Sequence, residues 1–226
     1  LEVKRKGRVG YDVPNPPSSK MIAIVNYKMG NLRSVQKALE KQGFPSFITS
    51  STEDLEKAQA IILPGVGAFG SAMRNIRELN LEETILKEIE KGKPLLGICL
   101  GLQILFEESE ESPGIKGLGV VKGRVVKIKG DVRIPHMGWN ILKIKRKSPI
   151  FEGIKDGEMF YFVHSYYVEP EEDVVIGETE YPDFIPCAIQ KGNVFGVQFH
   201  PEKSSSAGSR ILKNFAEIAL CSSSQR

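Results

Sequence analysis

Cysteine is scarce in this chain: three among 226 residues, at Cys99, Cys187 and Cys221. An odd, sparse set does not build a disulfide framework, and it points to a reducing compartment, here the cytoplasm. No cysteine–histidine group has metal-ligand spacing, so no metal is expected. Long apolar runs are missing as well. No stretch of 18 apolar residues occurs, which excludes a typical transmembrane helix. The body of the chain also lacks an excess of either charge. The net charge of +3 lies entirely in residues 1–20, which hold Lys4, Arg5, Lys6, Arg8 and Lys20 against Glu2 and Asp12. A neutral body is not that of a nucleic-acid binder. With 41% hydrophobic and 26% charged residues, the composition is that of a globular protein rather than a disordered one.

Residues 1–20 read as a tail ending in Pro14-Asn15-Pro16-Pro17-Ser18-Ser19. They lack the apolar segment of a secretory signal. A disordered N-terminal extension or an expression remnant is expected here, before a natural start at Met21, with residues 21–226 as one domain. From Met21 the pattern alternates. Ile22–Asn26, Phe47-Ile48, Ala60–Leu63 (ending at Pro64) and Leu95–Ile98 read as strands. Helices are expected over Leu32–Leu39 before Gly43, from about Ser71 with a break near Asn80, and over Leu100–Glu108. Such alternation implies a mostly parallel central sheet flanked by helices. After Gly117 the texture turns strand-rich: Val120–Ile128, Ile141–Ile144, Phe160–Val168, Val174–Thr179, Cys187–Gln190 and Val194–Phe199. A last helix is expected over Arg210–Leu220. The fold class is therefore α/β with an antiparallel strand-rich extension.

Three segments carry chemistry. Gly97-Ile98-Cys99-Leu100-Gly101 follows an apolar strand and opens a helical run. It is the cysteine counterpart of the G-x-S-x-G nucleophile elbow, in which a sharp turn pushes the side chain out and glycines admit neighbouring backbone. A helix N-terminus beyond it would favour the thiolate. The competing use is a buried structural cysteine. The second segment, Gly196–Glu202, ends a strand at His200 and places Glu202 two residues on. A nucleophilic cysteine needs a base, and the base an orienting carboxylate; His-x-Glu offers both. The third, Gly65-Val66-Gly67-Ala68-Phe69-Gly70, matches G-x-G-x-x-G, the dinucleotide fingerprint. It follows the third strand rather than the first, and no acidic strand end lies about 20 residues on. Its other use is an oxyanion-binding backbone near Val66, where rotation of a peptide flanked by glycines would turn an N–H into or out of a site. His164, in a strand-like segment, either orients substrate or packs. Pro135-His136-Met137-Gly138-Trp139-Asn140 holds the only tryptophan, which suits a contact surface.

Together these segments resemble class I glutamine amidotransferases. The resemblance spans Met21 to the last helix. Within that family Pro64–Gly70, Cys99–Gln103, Pro135–Asn140, Phe162–Tyr166 and His200–Ser204 are similar to the glutaminase subunits of imidazole glycerol phosphate synthase. The resemblance implies a flavodoxin-like class I glutaminase fold. It implies that Cys99 attacks the side-chain amide of glutamine, that His200 moves the proton and that Glu202 holds His200. The N–H of Leu100 and one from Gly65, Val66 or Gly67 would form the oxyanion hole. Gln103, Glu111, His164, Ser165 and Tyr166 would bind the substrate. No cofactor is implied. The implied partner is a (β/α)₈-barrel cyclase in a heterodimer, met by Trp139, Asn140, Lys203 and the Asn26–Asn31 turn. A glutaminase serving anthranilate or PLP synthase, and a dinucleotide-binding protein, are the rival readings.

Overall fold

A computed structural model describes residues 21–221. The tail expected over residues 1–20 lies outside the described residues. The elements run β1 (Ile22–Val25), α1 (Leu32–Glu40), β2 (Ser46–Thr49), α2 (Thr52–Lys57), β3 (Ala60–Gly65), α3 (Phe69–Glu78), α4 (Leu81–Glu90), β4 (Leu95–Cys99) and α5 (Leu100–Gln103). They continue with β5 (Phe106–Ser109), β6 (Val121–Lys127), β7 (His136–Ile141), β8 (Lys143–Ile144), β9 (Met159–His164), β10 (Tyr166–Pro170), β11 (Val175–Glu180), β12 (Phe184–Lys191), β13 (Val194–Val197) and α6 (Ser205–Cys221).

The main sheet has eight strands in the order β2-β1-β3-β4-β13-β12-β11-β8. The first five are parallel, and β12, β11 and β8 extend them antiparallel. This is the α/β class and the antiparallel extension read from the sequence. Strand alternation sends side chains to two cores. In β1, Ile22 and Ile24 pack with Val35, Leu39, Ile211 and Phe215 of α1 and α6. Ala23 and Val25 pack on the opposite face with Met73, Ile76, Leu81 and Ile85 of α3 and α4. Burying each such aliphatic chain contributes about 1.5–3 kcal/mol. Two smaller sheets, β10-β6-β5 and the ribbon β7-β9, complete the strand-rich part.

The structure departs from the sequence reading at several boundaries. The helix expected over Leu100–Glu108 is a single turn ending at Gln103, followed by β5. Phe106 is fully buried and pairs with Val121 in parallel register, so tertiary pairing overrides local helical periodicity. Strand β3 runs through Pro64 to Gly65. Its pairing with β1 stops at Ile62, so beyond that point a missing N–H costs no ladder bond on the open side. The strand expected over Phe160–Val168 is two strands in different sheets, β9 and β10, divided at Ser165. The Ile141–Ile144 expectation falls across the end of β7 and the two-residue β8. Helix α3 starts at Phe69 and α6 at Ser205, both earlier than the apolar periodicity indicated.

Candidate active site

Three neighbouring parallel strands deliver the chemistry to one edge of the main sheet. β4 lies between β3 and β13, with Gly65 paired to Cys99 and Val197 to Ile98. Gly65, Cys99 and the His200 turn therefore meet beyond the carboxyl ends of these strands, where open α/β sheets collect their ligands.

Cys99 sits at φ 53°, ψ −108°, a left-handed backbone that costs a non-glycine residue about 1–3 kcal/mol. The flanking glycines are steric requirements of this turn. A Cβ at Gly97 would lie 2.7 Å from the Gly101 carbonyl oxygen, and one at Gly101 would collide with the Leu63 carbonyl oxygen. The elbow is thus real in geometry as well as spacing. The helix beyond it is one turn long, so it contributes a few free N–H groups and not a long macrodipole.

His200 is 2% exposed. Its Nδ1–H donates to Glu202 Oε1 at 2.8 Å, since a carboxylate only accepts. Nε2 is buried and has no hydrogen-bond partner among the described residues. Burial pulls the imidazole down from its ordinary 6.5. Interactions with Cys99 and Glu202 overcome that and lift it to about 9. The charged form of the ring is thereby favoured. Backbone contacts clamp it to the ribbon: His200 N–H donates to Tyr161 O at 2.9 Å. The Ser204 hydroxyl donates to His200 O at 2.6 Å and accepts from Tyr161 N–H at 2.9 Å.

A cavity of about 270 Å³ opens at Cys99, lined by Val66, Gly67, Cys99, Leu100, Gln103, Glu111 and the run Val163–Tyr166. It brings together every residue expected from the sequence to bind substrate, with Val66, Gly67 and Leu100 of the expected oxyanion hole. Gln103 donates through Nε2 to Tyr166 O at 3.0 Å and Gln198 Oε1 at 3.1 Å, and Gln198 Nε2 reaches Cys99 Sγ at 3.6 Å. Glu111 accepts the Phe69 N–H at 2.7 Å, so it also anchors the start of α3. In the glycine segment, the left-handed backbone belongs to Gly67, at φ +105°. Gly65 is needed for another reason: its Cβ would collide with the hydroxyl of buried Tyr27. Conformational freedom near Val66 therefore rests on Gly67.

Trp139, Asn140 and Lys203 lie apart from the cavity lining. On β7, Met137, Trp139 and Ile141 alternate outward and are exposed, beside exposed Met159 on β9. Trp139 stands edge-on to Tyr161 with ring centres 6.1 Å apart, and Lys203 Nζ lies 5.9 Å over the same tyrosine. The Asn140 amide turns the other way, to His136 Nε2 at 3.2 Å and Glu180 O at 3.0 Å. Sequence reasoning passed over Gln198, Val163, Ser204 and the outward residues Met137, Ile141 and Met159. A glutamine inside an apolar strand end was the one available signal, for Gln198. Among the described residues no group of three or more His, Cys, Asp or Glu is placed to hold a metal ion, and no helix is long and apolar enough to cross a membrane.

The arrangement is a strained Cys99 turn between two sterically required glycines, a buried His200 held by a carboxylate, and a small cavity at Cys99. The chain matches the family Glutamine amidotransferase class-I over residues 23–219. It is 55% identical over 198 residues to "Imidazole glycerol phosphate synthase subunit HisH" of Methanocaldococcus jannaschii, covering 88% of this chain and 100% of that protein. It is 52% identical to the same-named subunit of Aquifex aeolicus, covering 87% and 96%. Among solved structures it is similar to one described as "Crystal structure of glutamine amidotransferase", with a TM-score of 0.69 at 25% identity over 87% of this chain and 98% of that one.

Proposed function

The chain belongs to the class-I glutamine amidotransferase family, among the HisH subunits of imidazole glycerol phosphate synthase, and on that premise we propose that it hydrolyses glutamine with a Cys99–His200–Glu202 triad and hands the ammonia to a cyclase subunit in histidine biosynthesis. One observation carries the triad: a strained, cavity-facing Cys99 on the strand adjoining the one that delivers a His200 whose Nδ1 is held by Glu202.

Each step uses a group already placed. The Cys99 thiolate attacks the side-chain amide carbon of glutamine, forming a C–S bond while the carbonyl becomes an oxyanion. Backbone N–H groups of Leu100 and of the Gly65–Gly67 segment receive that charge. One such donor is typically worth about 10²–10³-fold in rate. His200, whose charged form is favoured, gives its Nε2 proton to the leaving nitrogen as the C–N bond breaks. Ammonia departs and a thioester remains. The now neutral His200 takes a proton from water, which attacks the thioester; the C–S bond breaks, and glutamate and the starting Cys99–His200 pair are restored. A cavity near 270 Å³ suits a ligand the size of one amino acid.

Free ammonium is not a nucleophile, so ammonia needs a sheltered route to its acceptor. The outward face of Met137, Trp139, Ile141 and Met159 supports a docked partner, which we assign as the (β/α)₈-barrel cyclase of a cytoplasmic heterodimer. Service to anthranilate or PLP synthase is the weaker reading, since the relatives reported above carry the histidine-pathway name. The Val66–Gly67 turn of the Gly65–Gly70 segment opens onto the Cys99 cavity, which favours oxyanion binding over a dinucleotide. The test is co-purification, then glutaminase assay with and without the captured barrel protein. Glutamate release that rises on adding the cyclase is expected. A chain that releases none under either condition would overturn the reading.

A further inference from the structure

We propose that His136 and Asn140 are positioning residues for glutamine: with His164 they form a one-way hydrogen-bond relay that fixes the 164–166 wall of the cavity from the strand whose opposite face is exposed for docking. The proposal rests on the glutaminase reading above.

The register of β7 on β9 places His136 directly opposite His164, 28 residues along the chain. Asn140 Nδ2 lies 3.2 Å from His136 Nε2, His136 Nδ1 lies 3.0 Å from His164 Nε2, and His164 Nδ1 lies 2.8 Å from Tyr166 O. The direction of every bond follows from its end. A carbonyl oxygen only accepts, so His164 Nδ1–H donates and its Nε2 accepts. His136 must then donate from Nδ1 and accept at Nε2, which an amide NH₂ can serve. Both rings have to be neutral for this chain to close. Burial holds His136 down to about 4. It holds His164 down to about 3, against the opposing bond to Tyr166.

No polar atom in the relay is idle. The second Asn140 Nδ2 hydrogen goes to Glu180 O at 3.0 Å, and Asn140 Oδ1 accepts the Ile141 N–H at 2.8 Å, which fixes the amide's orientation. The His136 ring stacks on Tyr181 at 3.9 Å and on Phe162 at 4.9 Å. A saturated buried network of this kind specifies one arrangement. Its inner end is on the cavity: Tyr166 O also takes the Gln103 Nε2 hydrogen, and Gln103 connects through Gln198 to Cys99. Its outer end is on β7, where Met137, Trp139 and Ile141 alternate with the relay residues. A shift of β7 therefore moves the docking face and the substrate wall together.

The test is steady-state glutaminase kinetics in the assembled complex. His136→Phe keeps a flat ring in the stack and removes both hydrogen bonds. It is expected to raise KM for glutamine by about 10-fold while kcat stays within about threefold. Asn140→Ala removes the terminal donor and shifts KM the same way by less. Because Asn140 acts through His136, the double variant is expected to match His136→Phe alone. Alkylation of Cys99 by iodoacetamide stays at the wild-type rate in His136→Phe. Unchanged KM, or equal losses in kcat and kcat/KM, or fully additive effects would overturn the relay. If His136→Phe does not fold, Asn140→Ala decides by its KM alone. If the wild type does not hydrolyse glutamine, the functional reading falls separately. Calorimetric titration of glutamine into Cys99→Ala protein, with and without Asn140→Ala, then judges the relay: weaker binding supports it and equal binding overturns it.

Discussion

On one side of the Cys99 cavity, Val66, Gly67 and Leu100 come from tight turns in the parallel half of the sheet. On the other, Val163–Tyr166 come from the strand-rich half, where β9 passes into β10. The first wall is shaped by backbone sterics: glycines stand where any Cβ would strike a carbonyl or Tyr27, and Cys99 is held in a left-handed conformation. The second is shaped by side-chain hydrogen bonds among His136, His164, Asn140 and Gln103. On the proposed reading the attacking sulfur sits on this backbone wall, where strain is held by neighbouring chain. On the same reading glutamine recognition sits on a wall joined by hydrogen bonds to the strand that carries an exposed face.

The largest break in this contrast is expected at the nucleophile. Cys99→Ala removes the attacking sulfur, and loss of a nucleophile commonly costs about 10⁴-fold or more in kcat. The protein should still fold, because alanine fits the elbow, and should still bind its cyclase and support synthesis from ammonium salts. Near-native glutaminase activity in purified Cys99→Ala would end the assignment. Next comes the backbone wall itself. Gly101→Ala drives a methyl group into the Leu63 carbonyl, a contact between two backbones that cannot rotate away. We expect destabilisation of at least about 3 kcal/mol, read as a lower urea midpoint. A midpoint equal to wild type would show that the elbow is more pliable than its geometry implies.

A smaller effect is expected at the base. Glu202→Gln preserves an oxygen that accepts Nδ1–H but removes the charge that helps lift His200 to about 9. The folded pKa is raised above the ordinary 6.5, so the imidazolium's contribution to stability is fully present below 6.5. It is lost as pH climbs through about 9. The same imidazolium donates the proton to departing ammonia, so glutaminase activity should fall on the alkaline side near that value. In Glu202→Gln the alkaline limb should move to lower pH by roughly 1–2 units. A pH–rate profile of kcat/KM is the measurement. An unmoved limb would mean that Glu202 orients His200 without tuning it.

The same division decides what could be read before the fold was known. The elbow and His-x-Glu are short-range patterns whose residue types are forced by a turn and by proton transfer, so their positions stand in the sequence. The main sheet was legible for the same reason, through apolar runs punctuated by glycine and proline. Apart from His164, which could be read as orienting substrate or packing, the substrate wall came through resemblance, because what orders it is the pairing of β7 with β9. His164 reads as a lone strand histidine and His136 as part of a contact segment until that register is known. Ser204 and Gln198 likewise acquire meaning from partners 43 and 95 residues away. The short helix α5 was misread because Leu100–Glu108 has helical apolar spacing, while β5 takes its conformation from β6.

The smallest expected effect probes the seam between the walls. Ser204 is fully buried and joins the catalytic turn to the ribbon by accepting Tyr161 N–H and donating to His200 O. Ser204→Ala leaves the Tyr161 N–H without its acceptor, a cost of about 1–3 kcal/mol, while His200 O keeps the Lys203 N–H at 3.0 Å. In a chain of this size each kcal/mol lowers the melting temperature by about 2–4 °C. His200 keeps its N–H bond to Tyr161 O and its link to Glu202, so the base stays in place. Glutaminase activity of the free chain should therefore fall less than about tenfold. The stronger signature is in coupling: with one of the two hydrogen-bond links to Tyr161 gone, the rise in activity on adding the cyclase should shrink. Melting curves, together with kcat/KM for the free chain and for the complex, check both parts. A Ser204→Ala protein with lowered stability but undiminished activation would show that β9 carries the partner's signal without this hydroxyl, through the cavity wall alone.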